Sequence, residues 1–465
     1  MSVQARDVIV LGSGPGGYVA AIRAAQLGRK VTIVEREALG GVCLNWGCIP
    51  SKALLKSAQL YHDMKRSADF GFETSGIKVD FPKIVQRSRE VAGKLSGGVA
   101  FLMKKNKVEV IAGRGALEAG KRLVVTDKDG KATTYSFNDI IIATGARARA
   151  IPGVDVDGEV IHTARTILES KRLPQKMLVI GAGAIGIEFA YFFSTLGTQV
   201  TVVEMQNQIL PQEDTEIAEG LSRILKKNGM LIKTATSVSD LKKSGKIASA
   251  TLKSKDGEEK WSGDACLMAI GVLPNTDQIG LEKVGIKTDK GWIDVDDFMR
   301  TNVANHYAIG DVAGAPWLAH VASHEGLVAA EAMCGKAKHG MHYDNIPGCT
   351  YCQPQVASVG LTEQQAKEKG LKYKIGKVPF AAIGKAIAIG EPEGMIKVII
   401  DEELGEVLGV HILHSEATEL ITEAAIIRSH EGIAASVLDT VHPHPTLSES
   451  VAEAMALALG RPINT

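Results

Sequence analysis

Cysteine is scarce, six in 465 residues. That excludes a small secreted scaffold stapled by disulfides and fits a reducing compartment, so a cytoplasmic location is expected. Net charge is lacking as well. Lys+Arg and Asp+Glu both count 53, which leaves no broad basic face for nucleic acid. There are no low-complexity tracts. The opening MSVQARDVIVLGSG has no basic stretch ahead of a long apolar run, so no signal peptide is expected. One stretch is long and apolar enough to suggest a membrane span, MLVIGAGAIGIEFAYFFSTLG (177–197), broken by Glu188. It is glycine-rich and opens like a strand, which marks buried α/β structure instead. A chain this long, 45% hydrophobic, has material for several domains with large cores.

One pattern is present twice. VIVLGSGPGGYVAAIRAAQLGRKVTIVE (8–35) reads as strand, Gly12-x-Gly14-x-x-Gly17, helix, strand and a closing Glu35. MLVIGAGAIGIEFAYFFSTLGTQVTVVE (177–204) repeats it with Gly181, Gly183, Gly186 and Glu204. Each glutamate lies 18 residues after the third glycine. The glycines allow a tight turn, close approach of backbone to a pyrophosphate, and close helix–strand packing. The helix start then points unpaired N–H groups at phosphate. The carboxylate accepts from a ribose hydroxyl. Two dinucleotide sites follow: one for NAD, the other for a second nicotinamide or for FAD. Glu204 repels a 2′-phosphate, and Met205, Gln206, Asn207 and Gln208 behind it offer no cation, so NAD is expected over NADP.

GGVCLNWGCIPSKALL (40–55) places Cys43 and Cys48 five positions apart. On a regular helix their Cα atoms would lie about 8.5 Å apart, too far for a disulfide. A bent loop is therefore expected, with Gly40, Gly41 and Gly47 giving the freedom. Pro50 suits a first helical turn, which leaves Cys48 at a helix N-terminus where a thiolate is stabilised. The pair is a redox disulfide, half of a metal site or two inert core thiols. A four-ligand metal site finds no Cys or His nearby before His62. Two hydride-carrier sites in the same chain agree with two-electron disulfide chemistry.

This segment resembles the active site of the flavin-dependent pyridine nucleotide–disulfide oxidoreductases, most of all their dihydrolipoamide dehydrogenase branch. The resemblance spans essentially the whole chain: both fingerprints, ATG at 143–145, IGD at 309–311 and HPHPTLSE at 442–449. It implies an α/β fold of two Rossmann-like domains plus a C-terminal α+β dimerisation domain, with FAD on the first fingerprint and NAD on the second. The expected boundaries are 1–147 (FAD), 148–271 (NAD), 272–344 (a central part completing the FAD site) and 345–465 (interface). Cys43 would be the interchange thiol and Cys48 the flavin-facing one. Lys52 and Glu188 would pair beside the flavin N5, and Asp311 would hold the ribitol. Thr144, Gly145 and Ala319 would complete the FAD site, and Gly271 the nicotinamide side. His444, oriented by Glu449, would take the substrate proton in a homodimer, serving the partner's disulfide. The implied activity is oxidation of dihydrolipoamide on a lipoylated carrier protein, with NAD+ reduced to NADH.

Plainer readings stand beside these. Glu188 is expected in a first helical turn, where a carboxylate simply suits the dipole. Lys52 reads equally as a solvated helix lysine, and Asp311 as the close of a surface turn. Thr446-x-x-Glu449 reads as a capping box, while the prolines around His444 hold it extended and rigid. Cys349 and Cys352 in CTYC are expected to be buried strand-edge thiols, and His411 and His414 strand residues without a metal. A glutathione-reductase-like enzyme is the rival activity, and it needs the NADPH that Glu204 disfavours. A docking subunit with incidental catalysis is the rival of another class.

Overall fold

Four consecutive buried residues, Val8–Leu11, start the first sheet. Such a run, apolar on both faces, is what a parallel strand covered by helices requires. The structure, a computed structural model, describes residues 3–464; the outermost residues of the first and last expected domains lie outside them. The chain forms two units: Met1–Ala53, Pro82–Arg149 and Gly271–His342 in one, Leu54–Phe81, Ala150–Ile270 and Tyr343–Thr465 in the other.

In the first unit five parallel strands lie in the order His306–Ala308, Asp139–Ile142, Val8–Leu11, Val31–Glu35, Glu109–Ala112. The chain starts in the middle, builds outward on one side, then crosses to the other. The switch point falls beside Val8–Leu11, where such folds bind ligands. The segment 272–344 supplies an edge strand to this sheet and the Ala319–Met333 helix. That helix packs on Pro15–Gln26 through small residues. A Cβ at Gly16 would lie 2.8 Å from the Ala322 carbonyl oxygen, and one at Gly326 would lie 2.6 Å from that of Gly16.

The second unit repeats the plan. Ile161–Thr163, Ala265–Met268, Lys176–Ile180, Gln199–Val203 and Leu231–Lys233 form another all-parallel sheet. The stretch that read like a membrane span is its central strand and crossover helix, and among the described residues no helix is long and apolar enough to cross a membrane. From Gly348 the chain turns antiparallel: Gly348–Thr350, Gln355–Gly360, Val407–His414, Met395–Asp401, Tyr373–Pro379. Val398, Ile400, Val410 and Ile412 from this sheet share a core with Val451, Ala454 and Met455 of the Glu449–Ala458 helix.

That helix sits on bare backbone at Gly376. A Cβ there would overlap the Ala454 carbonyl oxygen and lie 2.9 Å from its carbon and 3.0 Å from the Ala458 nitrogen. Gly376→Ala is therefore expected to destabilise this sheet–helix layer by about 1–3 kcal/mol, the usual cost of overpacking. Denaturant unfolding followed at the C-terminal domain would check this, and an unchanged midpoint would refute the contact.

Candidate active site

Gly12 has φ +105°, and a Cβ there would overlap the Ala143 carbonyl oxygen; one at Gly17 would overlap that of Gly12. A Cβ at Gly14 would meet nothing. Gly14 is the N-cap of the Pro15–Gln26 helix, which has no side-chain cap. The turn is thus packed tightly behind and open in front, with helix N–H groups facing the opening. Glu35 braces it: one carboxylate oxygen accepts from Ser13 N (2.9 Å) and Ser13 Oγ (2.5 Å), the other from Glu37 N (2.8 Å).

The other residues expected at this cradle lie in the same unit. Thr144 Oγ1 is buried without a hydrogen-bond partner. Asn275 fixes the Thr144–Gly145 turn, its N donating to Gly145 O (2.9 Å) and its Nδ2 to Thr144 O (3.0 Å). Asp311 lies in the short turn Gly310–Ala313, which Glu325 holds by accepting from Gly310 N (2.5 Å). Burial alone pushes the Asp311 carboxyl up to about 6. Ala319 opens a helix without a side-chain cap. An orphaned hydroxyl, a carboxyl in want of hydroxyl donors and an uncapped helix start fit a polyhydroxylated dinucleotide such as FAD.

Cys48 stands at a helix N-terminus as expected, but Cys43 does not lie on a loop. Cys43 is in a short helix, Gly41–Trp46, and Cys48 is the first residue of the helix Cys48–Lys65. The bend is a break between helices at Gly47 (φ −144°, ψ −117°). Both cysteines carry thiols here and are partly buried. Cys43 is hydrogen-bonded to Cys48, and that bond, burial and the charge of an ionised Cys48 all raise the Cys43 pKa, while Lys52 opposes them. The pair thus shares a proton: ionisation of one thiol holds the other protonated. Lys52 is partly buried, and its charge acts on the Cys43 thiol.

Sequence reasoning missed what holds this segment in place. Asn45 Nδ2 donates to Leu39 O (3.0 Å) and Gly41 O (2.9 Å). From the long helix Phe81–Lys105, Arg89 donates to Asn45 O, Arg87 to Ala53 O (3.1 Å) and Ser96 Oγ to Leu39 O (2.8 Å). These donors lie 34–57 residues away in sequence, on a helix that carries no motif. Nothing local could have flagged them.

The second cradle repeats the first. A Cβ at Gly181 (φ +98°) would overlap the Ala269 carbonyl oxygen and one at Gly186 that of Gly181, while Gly183 faces open space. Glu204 is buried and accepts from Ala182 N and Gln206 N, both at 2.8 Å. Glu188 is not in a first helical turn: it is the fifth residue of Ala184–Thr195, buried, and accepts from Tyr351 N (3.1 Å). Gly271 belongs to the first unit, where its carbonyl takes the Arg149 N–H (3.0 Å).

In the C-terminal domain His444 is mostly exposed and its Nδ1 lies 2.8 Å from Glu449 Oε1. Glu449 Oε2 accepts from Thr446 N (2.8 Å). The expected capping box is only half made. The helix Glu449–Ala458 has no side-chain cap, and Thr446 Oγ1 turns instead to Pro443 O (2.7 Å). The Thr446 N–H first, then His444, draw the Glu449 pKa below its ordinary value. With Nδ1–H donated to this carboxylate, Nε2 is the nitrogen left to accept a proton. Cys349 lies on an edge strand, and buried Cys352 donates to Pro354 O (3.1 Å). His411 and His414 each place Nε2 2.9 Å from a backbone carbonyl, of Leu361 and Glu391. Among the described residues no group of His, Cys, Asp and Glu forms a metal site.

Two dinucleotide cradles and a paired thiol define a two-electron oxidoreductase, and the chain belongs to the pyridine nucleotide-disulphide oxidoreductase family. That family's profile matches residues 6–326, and its dimerisation domain matches residues 346–455. The family uses FAD and NAD. The chain is 49% identical to the dihydrolipoyl dehydrogenase of Zymomonas mobilis over 98% of its own length and 99% of that protein's. It is 42% identical to that of Bacillus subtilis, with 98% and 99% covered. Among solved structures, LpdA from Mycobacterium tuberculosis superposes with a TM-score of 0.91 at 29% identity, covering 98% of this chain and 99% of that one. The HOCl-induced flavoprotein disulfide reductase RclA from Escherichia coli gives 0.85 at 26%, covering 97% and 99%.

Asp311 yields a pH signature. Its folded pKa is raised, so its contribution to stability is full below about pH 4 and is lost as pH rises through about 6. In FAD-stripped protein, Asp311→Asn is expected to gain on wild type across that window, levelling at about 3 kcal/mol. Thermal unfolding of both proteins from pH 4 to 7 would check this; a pH-independent gap would count against a desolvated carboxyl.

Proposed function

We propose that this chain works as a dihydrolipoyl dehydrogenase, oxidising a dihydrolipoyl group on a carrier protein while NAD+ is reduced to NADH. The observation that carries the reading is the Cys43–Cys48 pair at a helix break, under the charge of Lys52, in a chain with two dinucleotide cradles. In the oxidised enzyme the two sulfurs are joined. A substrate thiolate attacks Cys43 Sγ, the Cys43–Cys48 bond breaks, and Cys48 leaves as a thiolate stabilised by its helix start and by Lys52. His444 Nε2 takes the proton of the incoming dithiol, with Glu449 fixing the ring and supporting its positive charge. The second substrate thiol then attacks the mixed disulfide, releasing lipoyl disulfide and Cys43. Bound FAD supplies the two-electron relay between the dithiol and NAD.

In this reading Gly12, Gly14, Gly17, Glu35, Thr144, Gly145, Asp311 and Ala319 hold FAD, and Gly181, Gly183, Gly186, Glu204 and Gly271 serve NAD. Lys52 and Glu188 are the charged pair beside the flavin. The functional divisions are 1–147, 148–271, 272–344 and 345–465, the enzyme is a cytoplasmic homodimer, and its partner is a lipoylated carrier.

Cys48→Ser is expected to bind FAD yet lose dihydrolipoamide oxidation and the long-wavelength thiolate–flavin absorbance. Normal turnover in that variant would sink the disulfide mechanism.

His444 is proposed to act on the partner's disulfide, because a twofold dimer builds two identical sites from both chains. Subunit exchange between Cys48→Ser and His444→Gln chains tests this. Each mixed dimer then has one site with both lesions and one with neither, so activity returns towards half of wild type. If His444 serves its own chain, every site keeps one lesion and nothing returns.

A further inference from the structure

Lys397 is the most deeply buried cation of the C-terminal sheet, 1% exposed in the middle of the strand Met395–Asp401. Its ammonium meets three carboxylates: Asp214 (3.0 and 3.1 Å), Glu216 (2.7 Å) and Glu363 (2.6 Å). Burial works against its charge, but these bonds outweigh burial and hold its pKa above the ordinary value. The neighbouring charges are Lys377, paired to Glu216 at 2.9 Å, and His411, opposite Lys397 on the next strand and bonded to Leu361 O. Asp214 is itself 2% exposed and N-caps the Thr215–Lys227 helix, accepting from Glu216 N (3.1 Å).

Asp214 also ends the loop that begins at Glu204. Between them Leu210 is buried with φ +45°, a left-handed backbone that leucine seldom adopts. A strained residue persists only where its surroundings fix it. Here Leu210 N donates to Ala182 O (2.8 Å), Ala182 N donates to Glu204 Oε2 (2.8 Å), and the other Glu204 oxygen takes Gln206 N (2.8 Å). The path from Lys397 to the Glu204 carboxylate is therefore continuous: ion pair, helix cap, strained loop, fingerprint backbone.

We infer that Lys397, a residue of the C-terminal sheet, is a positioning residue for NAD, acting through Asp214 and the 204–214 loop on the Glu204 carboxylate. The inference rests on the reading that NAD binds the second cradle through Glu204. It ties nicotinamide affinity to a side chain of the C-terminal sheet that lies outside that cradle's fingerprint. Without the ammonium, Asp214, Glu216 and Glu363 repel one another, the helix cap shifts, and the loop is free to relax away from Ala182.

The test uses FAD-loaded protein and calorimetric titration with NAD+, together with amide hydrogen exchange over 205–213. Lys397→Met is expected to weaken NAD+ binding about tenfold and to quicken exchange in that loop. The KM for NAD+ rises in parallel while kcat stays within about twofold. If that variant does not fold, Glu363→Gln decides: it removes one partly exposed partner and is expected to shift affinity the same way by less. Unchanged affinity in the folded variants, beside weakened binding in Glu204→Gln, would overturn the inference and leave the NAD site intact. Weakened affinity without faster exchange would also overturn it, since the path runs through the loop. If Glu204→Gln itself binds NAD+ normally, the NAD reading fails and the inference with it.

Discussion

At Gly17 the first crossover helix lies on the carbonyl of Gly12 with no space for a side chain, and Gly186 repeats this against Gly181. Gly12 and Gly181 are pressed in turn against Ala143 and Ala269, the residues that follow the neighbouring strands. Backbone on backbone is the only way to bring strand, turn and helix this close, and other features follow from it. The helix N-terminus ends level with the strand tips, so its N–H groups face outward instead of into the sheet. The next strand ends at the same height, and its glutamate reaches back to the turn: Glu35 to Ser13 and Glu204 to Ala182. In both cradles the front glycine, Gly14 or Gly183, is the one with open space before it. Tight packing behind and vacancy in front is the shape a pyrophosphate needs, and the chain builds it twice.

The dithiol depends on a different compromise. A single helix through both cysteines would hold the sulfurs apart, and a flexible loop would let them drift. Two helices broken at Gly47 place the sulfurs together and keep each on a rigid element. The cost is that the six-residue helix Gly41–Trp46 is too short to be stable alone. It is held by the Asn45 side chain reaching back to Gly41 and Leu39 and, from outside, by Arg89 on its last turn. Redox geometry thus leans on hydrogen bonds from a helix that holds no redox residue.

What was legible in the sequence was what repeats or sits in short motifs. The two fingerprints, their strands and closing glutamates are local patterns of three to thirty residues, and their strands lie where the apolar runs indicate. The thiol pair, His444 and Glu449 were legible for the same reason. What escaped was long-range. Glu325 holding Gly310, Arg89 holding Asn45 and Lys397 gathering Asp214 and Glu363 join residues 15, 44, 183 and 34 positions apart. No periodicity or spacing encodes such pairs. The misplaced details were failures of local geometry: glycines around two cysteines read equally as loop or helix break, and Glu188, read into a first turn, is the fifth residue of its helix and buried.

Glu449 shows why a folding role and a catalytic one need not compete. The turn that leads into a helix needs an acceptor for its backbone N–H, and a base needs an acceptor for the imidazole N–H it does not use. One carboxylate has two oxygens, and here Oε2 takes the Thr446 N–H while Oε1 takes His444 Nδ1. The first bond fixes the carboxylate where the backbone fixes it, so the second inherits a position set by the fold rather than by a mobile side chain. The same bonds draw its pKa down, which keeps it ionised opposite the imidazole. Thr446, freed from capping, turns its hydroxyl to Pro443 and ties the loop on the other side of His444. The exposed imidazole is thereby held by the first residue of a helix on one side and by a loop tied through Thr446 on the other.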